Sequence, residues 1–204
     1  AMTVLVVIGT RPEAIKLWRV IEELKSAGAR VDVLDTRQSP DLLPPLLDEL
    51  QIKTFAVRRG GRGGGIEGQI DLGLGGFFAE ACAALSQAIG PGSDLVIVQG
   101  DTTTARAGAL AAFYNKIPVA HVEAGLRTYN LASPFPEEGN RQMISRIAAL
   151  HFCPTGENLT NLIDENNDLG ETASHGYGPT AERAFVVGNT GIDALDMVAK
   201  SVPA

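Results

Sequence analysis

Residues Leu95–Arg141 read LVIVQGDTTTARAGALAAFYNKIPVAHVEAGLRTYNLASPFPEEGNR, and this stretch decides the fold. Two short apolar runs, Leu95–Val98 and Val119–Ala120, are each followed by acidic residues. Asp101 follows the first run, and Glu123, Glu137 and Glu138 follow the second. Buried parallel strands have this unbroken apolar character, and open α/β sheets bind ligands just past the C-terminal ends of such strands. Carboxylates gathered at one sheet edge are suited to moving protons.

Working outward, the same alternation of strand and helix covers the chain. Thr3–Ile8 is a β-branched run stopped by Gly9, hence a first strand. Thr10 or Arg11 precedes a helix with Pro12 at its first position; Gly28 ends it, and Ile15, Val20, Ile21 and Leu24 give it an apolar face. Val31–Asp35 predicts strand two, Pro40–Leu50 a helix interrupted by Pro44 and Pro45, and Lys53–Val57 a short strand three. Arg58–Gly65 (RRGGRGGG) reads as a mobile basic loop, or as a lid or phosphate contact; no Lys-Ser or Lys-Thr follows to make it a P-loop. Helices are expected over Ile66–Ile89, Thr102–Tyr114, Glu137–Ala149, Thr155–Ile163 (with Thr155 as N-cap) and Asn189–Lys200. Strands are expected at Leu95–Val98, Pro118–His121, Leu150–Cys153 and Ala184–Val187, with Asn166–Arg183 a loop. The pattern predicts an α/β fold: a doubly wound, Rossmann-like parallel sheet in a single domain over residues 2–204.

Composition narrows the function. A net charge of −7 and a pI near 5.0 argue against a sequence-independent nucleic-acid binder, which needs a basic face. A few arginines in a cleft still suffice for an anionic small ligand. Cys82 and Cys153 read as reduced structural thiols of a cytoplasmic protein. No signal peptide opens the sequence and no apolar run is long enough to cross a bilayer. Ala1 ahead of Met2 is read as a remnant of cloning and set aside.

The motifs each carry two readings. Gly9-Thr10-Arg11-Pro12-Glu13 is a capped turn with a solvated arginine, or a helix N-terminus where Arg11 favours an anion; G-x-G-x-x-G is absent. Asp101 before Thr102-Thr103-Thr104 is an N-cap, or an acid or base at a strand end. Alternation places His121 and Glu123 on the same side, where His121 is a structural hydrogen-bonder or part of the site. His-x-Glu alone is no zinc site, since no second histidine or Cys-x-x-Cys stands at ligand spacing, so no metal is expected. Glu137 and Glu138 in a first helical turn suit the helix dipole, and Glu137 is spaced to pair with Arg141. All of these fall at or beyond the ends of strands one, four and five, which form one cleft in a doubly wound sheet.

Taken together, GTRPEAIK (Gly9–Lys16), QGDTTT (Gln99–Thr104), HVEAGLRT (His121–Thr128), SPFPEEGNR (Ser133–Arg141) and GNTGIDAL (Gly188–Leu195) strongly resemble the bacterial non-hydrolysing UDP-N-acetylglucosamine 2-epimerases. The resemblance implies two Rossmann-like domains in a GT-B arrangement, of which this chain supplies the N-terminal one. It implies inversion at C2 of UDP-GlcNAc and UDP-ManNAc by elimination of UDP to a 2-acetamidoglucal and re-addition, with no cofactor. It matches Asp101, Glu123 and Glu137 to the family's catalytic carboxylates. Arg11, Gln38, Thr102, His121 and Arg141 become expected substrate contacts. A homodimer and a separate C-terminal nucleotide-binding half are the implied partners, and without that second half the chain is expected to be inactive or nearly so. The sequence departs from the family at Gln38-Ser39, where a histidine commonly follows the glutamine, in the glycine run of Arg58–Gly65, and in a longer Asn166–Arg183 loop. A binding or regulatory module without turnover, and the N-terminal domain of a GT-B glycosyltransferase, are the competing readings.

Overall fold

The computed structural model describes residues 1–41, 43–56, 73–167 and 183–201. Seven strands form one sheet: β1 (Thr3–Ile8), β2 (Arg30–Asp35), β3 (Thr54–Ala56), β4 (Leu95–Gln99), β5 (Val119–Val122), β6 (Leu150–Cys153) and β7 (Ala184–Val186). Every pairing is parallel and the order is β3-β2-β1-β4-β5-β6-β7. Chain order reverses between β1 and β4, so the switch point lies between those two strands. Seven helices are described: α1 (Arg11–Ser26), α2 (Leu43–Glu49), α3 (Gly73–Ala88), α4 (Thr103–Tyr114), α5 (Glu137–Ile147), α6 (Gly156–Asn167) and α7 (Thr190–Ser201).

The central strands β1, β4 and β5 bury both faces, and the alternation sorts the core into two layers. Leu5, Val7, Val96, Val98 and Val119 face one way, against Ala81, Leu85, Ala105, Ala109 and Ile144 of α3, α4 and α5. Val4, Val6, Ile8, Val33 and Ile97 face the other way, against Ala14, Leu17 and Ile21 of α1 and Leu43 and Leu47 of α2. A smaller cluster of Ala124, Cys153, Leu162 and Ala184 seats α6. The small side chains of α4 let it lie close on the sheet; a Cβ at Gly108 would stand 3.1 Å from both Val7 and Val98.

Two expectations are corrected and one is narrowed. The buried stripe of α1 runs through Ala14, Leu17 and Ile21; of the expected face, Val20 and Leu24 pack half-buried against the same core and Ile15 flanks it. Pro44 and Pro45 do not interrupt α2; they sit in its first turn, where the missing N–H groups need no partner. Asn166 and Asn167 still belong to α6 rather than to the following loop. The expected Arg58–Gly65 loop, the first part of the expected Ile66–Ile89 helix, Val57 and most of the Asn166–Arg183 loop lie outside the described residues.

Candidate active site

The exit of β1 is shaped by close approach. A Cβ at Gly9 would meet the hydroxyl oxygens of Thr36 and Thr104 at 2.3 and 2.4 Å. Only glycine lets the chain pass there, next to the pair of hydroxyls, which meet at 2.7 Å. Thr10 then caps α1, and Glu13 folds back under the turn. Its Oε2 accepts from Gly9 N–H at 2.9 Å and from Thr10 N–H and the Thr10 hydroxyl at 2.8 Å; its Oε1 accepts from the Thr102 hydroxyl at 2.5 Å. Full burial pushes the Glu13 carboxyl above its usual range, against the pull of these four hydrogen bonds.

Lys16, one turn further along α1, reaches across to β5 and meets Glu123 Oε2 at 2.6 Å, and the side-chain amide of Gln99 donates to the same oxygen. Glu123 sits in the left-handed backbone region at φ 63°, just past the end of β5. That conformation costs a non-glycine residue about 1 kcal/mol and breaks the strand alternation. His121 and Glu123 therefore do not share a side. Glu123 turns into the cleft, while His121 is fully buried and its Nε2–H donates to the Gly100 carbonyl at 2.7 Å. Burial holds the His121 pKa down at about 4. His121 thus supports the Gly100 turn and does not itself line the cleft.

Asp101 follows Gly100, whose φ of +68° suits glycine. The N-cap of α4 is Thr102, whose hydroxyl oxygen accepts from Ala105 N–H at 2.9 Å, so the Asp101 side chain is free of capping. It meets Arg141 Nη2 at 2.6 Å instead. Burial raises the Asp101 carboxyl above its usual range; Arg141 opposes that shift, and the negative charges of Glu137 and Glu123 add to it. Arg141 pairs with Asp101 and, at 3.3 Å, with Glu138, not with the Glu137 that helical spacing offered. Asn140 ties the same loop down, donating to the Asp101 carbonyl at 2.8 Å.

Glu138 has a structural task. Buried under the loop after β5, it accepts from the N–H groups of Thr128 and Tyr129 and from the Gln142 amide. Burial alone would raise its carboxyl, but these donors bring it below the usual range. The same loop is pinned by Arg127, whose side chain is buried against Glu165 at 2.5 Å and Ser145 at 2.7 Å.

These groups enclose a cleft of about 460 Å³ lined by Thr10, Pro12, Lys16, Gln99, Gly100, Asp101, Thr102, Glu123, Leu126 and Arg141. Of the residues expected from sequence, Asp101, Glu123, Thr102 and Arg141 line it. Glu137 lies beside it, close enough to act on Asp101. Arg11 is exposed between Thr10 and Pro12 at its edge, and the Gln38 side-chain oxygen accepts from the Thr104 N–H and hydroxyl, bracing α4. Sequence reading passed over Lys16, Gln99 and Glu13. The available signals were the Thr10-x-x-Glu13 capping spacing and the placement of Lys16 one turn beyond Glu13. Among the described residues no cluster of three or more histidine, cysteine or carboxylate side chains is arranged to hold a metal, and no helix is long and apolar enough to cross a membrane.

The chain is thus a doubly wound α/β domain with carboxylates, a lysine and an arginine converging at its switch point. Residues 72–204 match the family model described as UDP-N-acetylglucosamine 2-epimerase. The UDP-N-acetylglucosamine 2-epimerase of Bacillus subtilis is 42% identical over 207 residues, a match covering 96% of this chain and 47% of that protein. The crystal structure of the Neisseria meningitidis UDP-GlcNAc 2-epimerase bound to UDP-GlcNAc superposes with a TM-score of 0.82 at 38% identity, covering 98% of this chain and 50% of that one. The Methanocaldococcus jannaschii UDP-GlcNAc 2-epimerase, in complex with UDP-GlcNAc and UDP, gives 0.79 at 31% identity, covering 98% and 51%. The chain belongs to the UDP-N-acetylglucosamine 2-epimerase family, and it spans about half the length of the relatives it matches.

Proposed function

We propose that this chain provides the acid–base half of a UDP-GlcNAc 2-epimerase. The observation that carries the reading is the convergence of Asp101, Glu123 and the nearby Glu137 on one cleft with Lys16 and Arg141. Inversion at C2 requires removal of a poorly acidic C2 proton. In an elimination, the C2–H electron pair forms the C1–C2 double bond while the C1–O bond breaks and UDP leaves. Re-addition of UDP and return of a proton on the opposite face complete the inversion. A carboxyl held above its usual range, as Asp101 is, suits a group that must both hold and release a proton. The Lys16 ammonium and the Arg141 guanidinium are suited to charge that develops on the sugar and on the leaving group. Arg11, Thr102 and Gln38 belong to the proposed binding set, Gln38 acting through Thr104.

The cleft is open on one side, and Leu126, Tyr129, Leu131 and Phe135 expose apolar surface on the loop beside it. A second Rossmann-like domain completing a GT-B arrangement would close the site and hold the UDP. A homodimer is part of the same proposal, as is a cytoplasmic setting, where Cys82 and Cys153 stay unpaired. The three acidic groups argue against a pure binding module, since binding a diphosphate gains nothing from carboxylate neighbours. The test is complementation: the chain is mixed with the C-terminal half of the Bacillus subtilis relative and UDP-ManNAc formation is followed. Asp101→Asn, Glu123→Gln and Glu137→Gln should each lower turnover roughly 10²- to 10⁴-fold. Turnover unaffected by all three would overturn the assignment.

A further inference from the structure

The turn after the first strand of a doubly wound nucleotide-binding domain ordinarily offers free backbone N–H groups to a phosphate. In this chain two of those groups are taken. Gly9 N–H and Thr10 N–H both donate to Glu13 Oε2, and the Thr10 hydroxyl donates to the same oxygen. Glu13 Oε1 holds the Thr102 hydroxyl, whose proton is available because its oxygen already accepts from Ala105 N–H. The Glu13 side chain is fully buried, so no water competes for these contacts. All four contacts are donations to the carboxylate, and its oxygens stand where a phosphate would accept.

We propose that Glu13 is a positioning residue, a built-in anion that closes the β1–α1 turn to phosphate and latches the end of β1 to the end of β4. The proposal rests on the acid–base reading of the cleft. Thr102 adjoins Asp101 in sequence, and Lys16 follows Glu13 by three residues on the same helix. One side chain therefore sets the spacing between the Asp101 loop and the Lys16–Glu123 pair. The consequence for the substrate is directional. A diphosphate does not find the Gly9 and Thr10 N–H groups free, and it is left to side chains such as Arg11 and to the second half. The switch-point cleft is left to the sugar carbons, between Asp101 and Glu123. This distinguishes the chain from dinucleotide-binding Rossmann domains, in which the same turn holds the pyrophosphate.

The test is a pyrophosphate titration of the ¹⁵N-labelled 204-residue chain at constant ionic strength, observing the Gly9 and Thr10 amides. In the wild type both amides should be protected from hydrogen exchange and unmoved by pyrophosphate. In Glu13→Ala the freed turn should bind pyrophosphate, with saturable shifts of both amides and affinity roughly tenfold or more above wild type, the scale of an anion at a helix N-terminus. A side chain with a merely structural role would not create that affinity on removal. Wild-type amides that exchange freely or shift with pyrophosphate would overturn the proposal, as would a folded Glu13→Ala protein whose turn ignores the ligand. If Glu13→Ala fails to fold, the wild-type protection and titration decide alone. Neither readout uses turnover, so loss of the epimerase reading would leave this result standing, and failure here would leave that reading intact.

Discussion

Lowering the pH from 7 to 5 should remove stability contributed by the buried, neutral His121. His121 is fully buried, with Nε2–H spent on the Gly100 carbonyl, and its pKa is held down to about 4 from the usual 6.5 of a free imidazole. A depressed folded-state pKa means that the unfolded chain binds the proton first. The contribution is therefore fully present above pH 6.5 and is lost as the pH falls towards 4. With these two values, linkage gives a loss of about 2 kcal/mol at pH 5 and on the order of 3 kcal/mol below pH 4. Glu13 and Asp101, whose carboxyls are raised, contribute with the opposite sign, so one protein alone does not isolate the histidine. His121→Gln supplies the control, since glutamine places an amide N–H near the Nε2 position and does not titrate. Urea unfolding of both proteins at pH 7 and pH 5 gives the double difference. Wild type should lose about 2 kcal/mol more than His121→Gln over that interval. Equal losses in the two proteins would refute the neutral, buried state of His121 and with it the support assigned to the Gly100 turn.

Three further outcomes follow from the same contacts. Gly125→Ala should cost about 2 kcal/mol or more in urea unfolding, because φ there is +85° and a Cβ would stand 2.1 Å from the Asn158 carbonyl oxygen. Arg127→Ala removes the buried partner of Glu165 and the Ser145 contact, and should lower stability by about 3–5 kcal/mol in the same assay. Arg141→Gln removes the charge opposing the upward shift of Asp101, so a ¹³C carboxyl titration should find Asp101 higher than in the wild type. No change in that titration would break the Arg141–Asp101 link.

The sheet was legible because its central strands are buried on both faces. Leu95–Val98 is a short apolar run bounded by polar residues, and β4 falls on it almost residue for residue, as β6 does on Leu150–Cys153. Asp101, Thr102, Glu123 and Arg141 were legible as a group, since a doubly wound order brings the ends of β1, β4 and β5 together. The sides of His121 and Glu123 were not. Alternation assumes extended backbone, and the left-handed conformation of Glu123 is set by tertiary packing at the strand end. Lys16 and Glu13 look in sequence like an exposed helical lysine and an ordinary capping glutamate. Their roles appear only when Glu123, 107 residues beyond Lys16, and Thr102, 89 beyond Glu13, are folded against them. The Arg127–Glu165 pair, 38 residues apart, has no local pattern at all.

The central claim, a C2 acid–base cleft that needs a second half, is tested most directly by proton NMR of UDP-GlcNAc in D2O. The spectrum is recorded with the chain alone and then with the C-terminal half of a relative added. The account predicts no exchange in the first tube, and in the second deuterium at C2 together with UDP-ManNAc. Turnover in the first tube would contradict the half-site, and a second tube in which both halves bind UDP-GlcNAc without exchange at C2 would contradict the acid–base assignment itself.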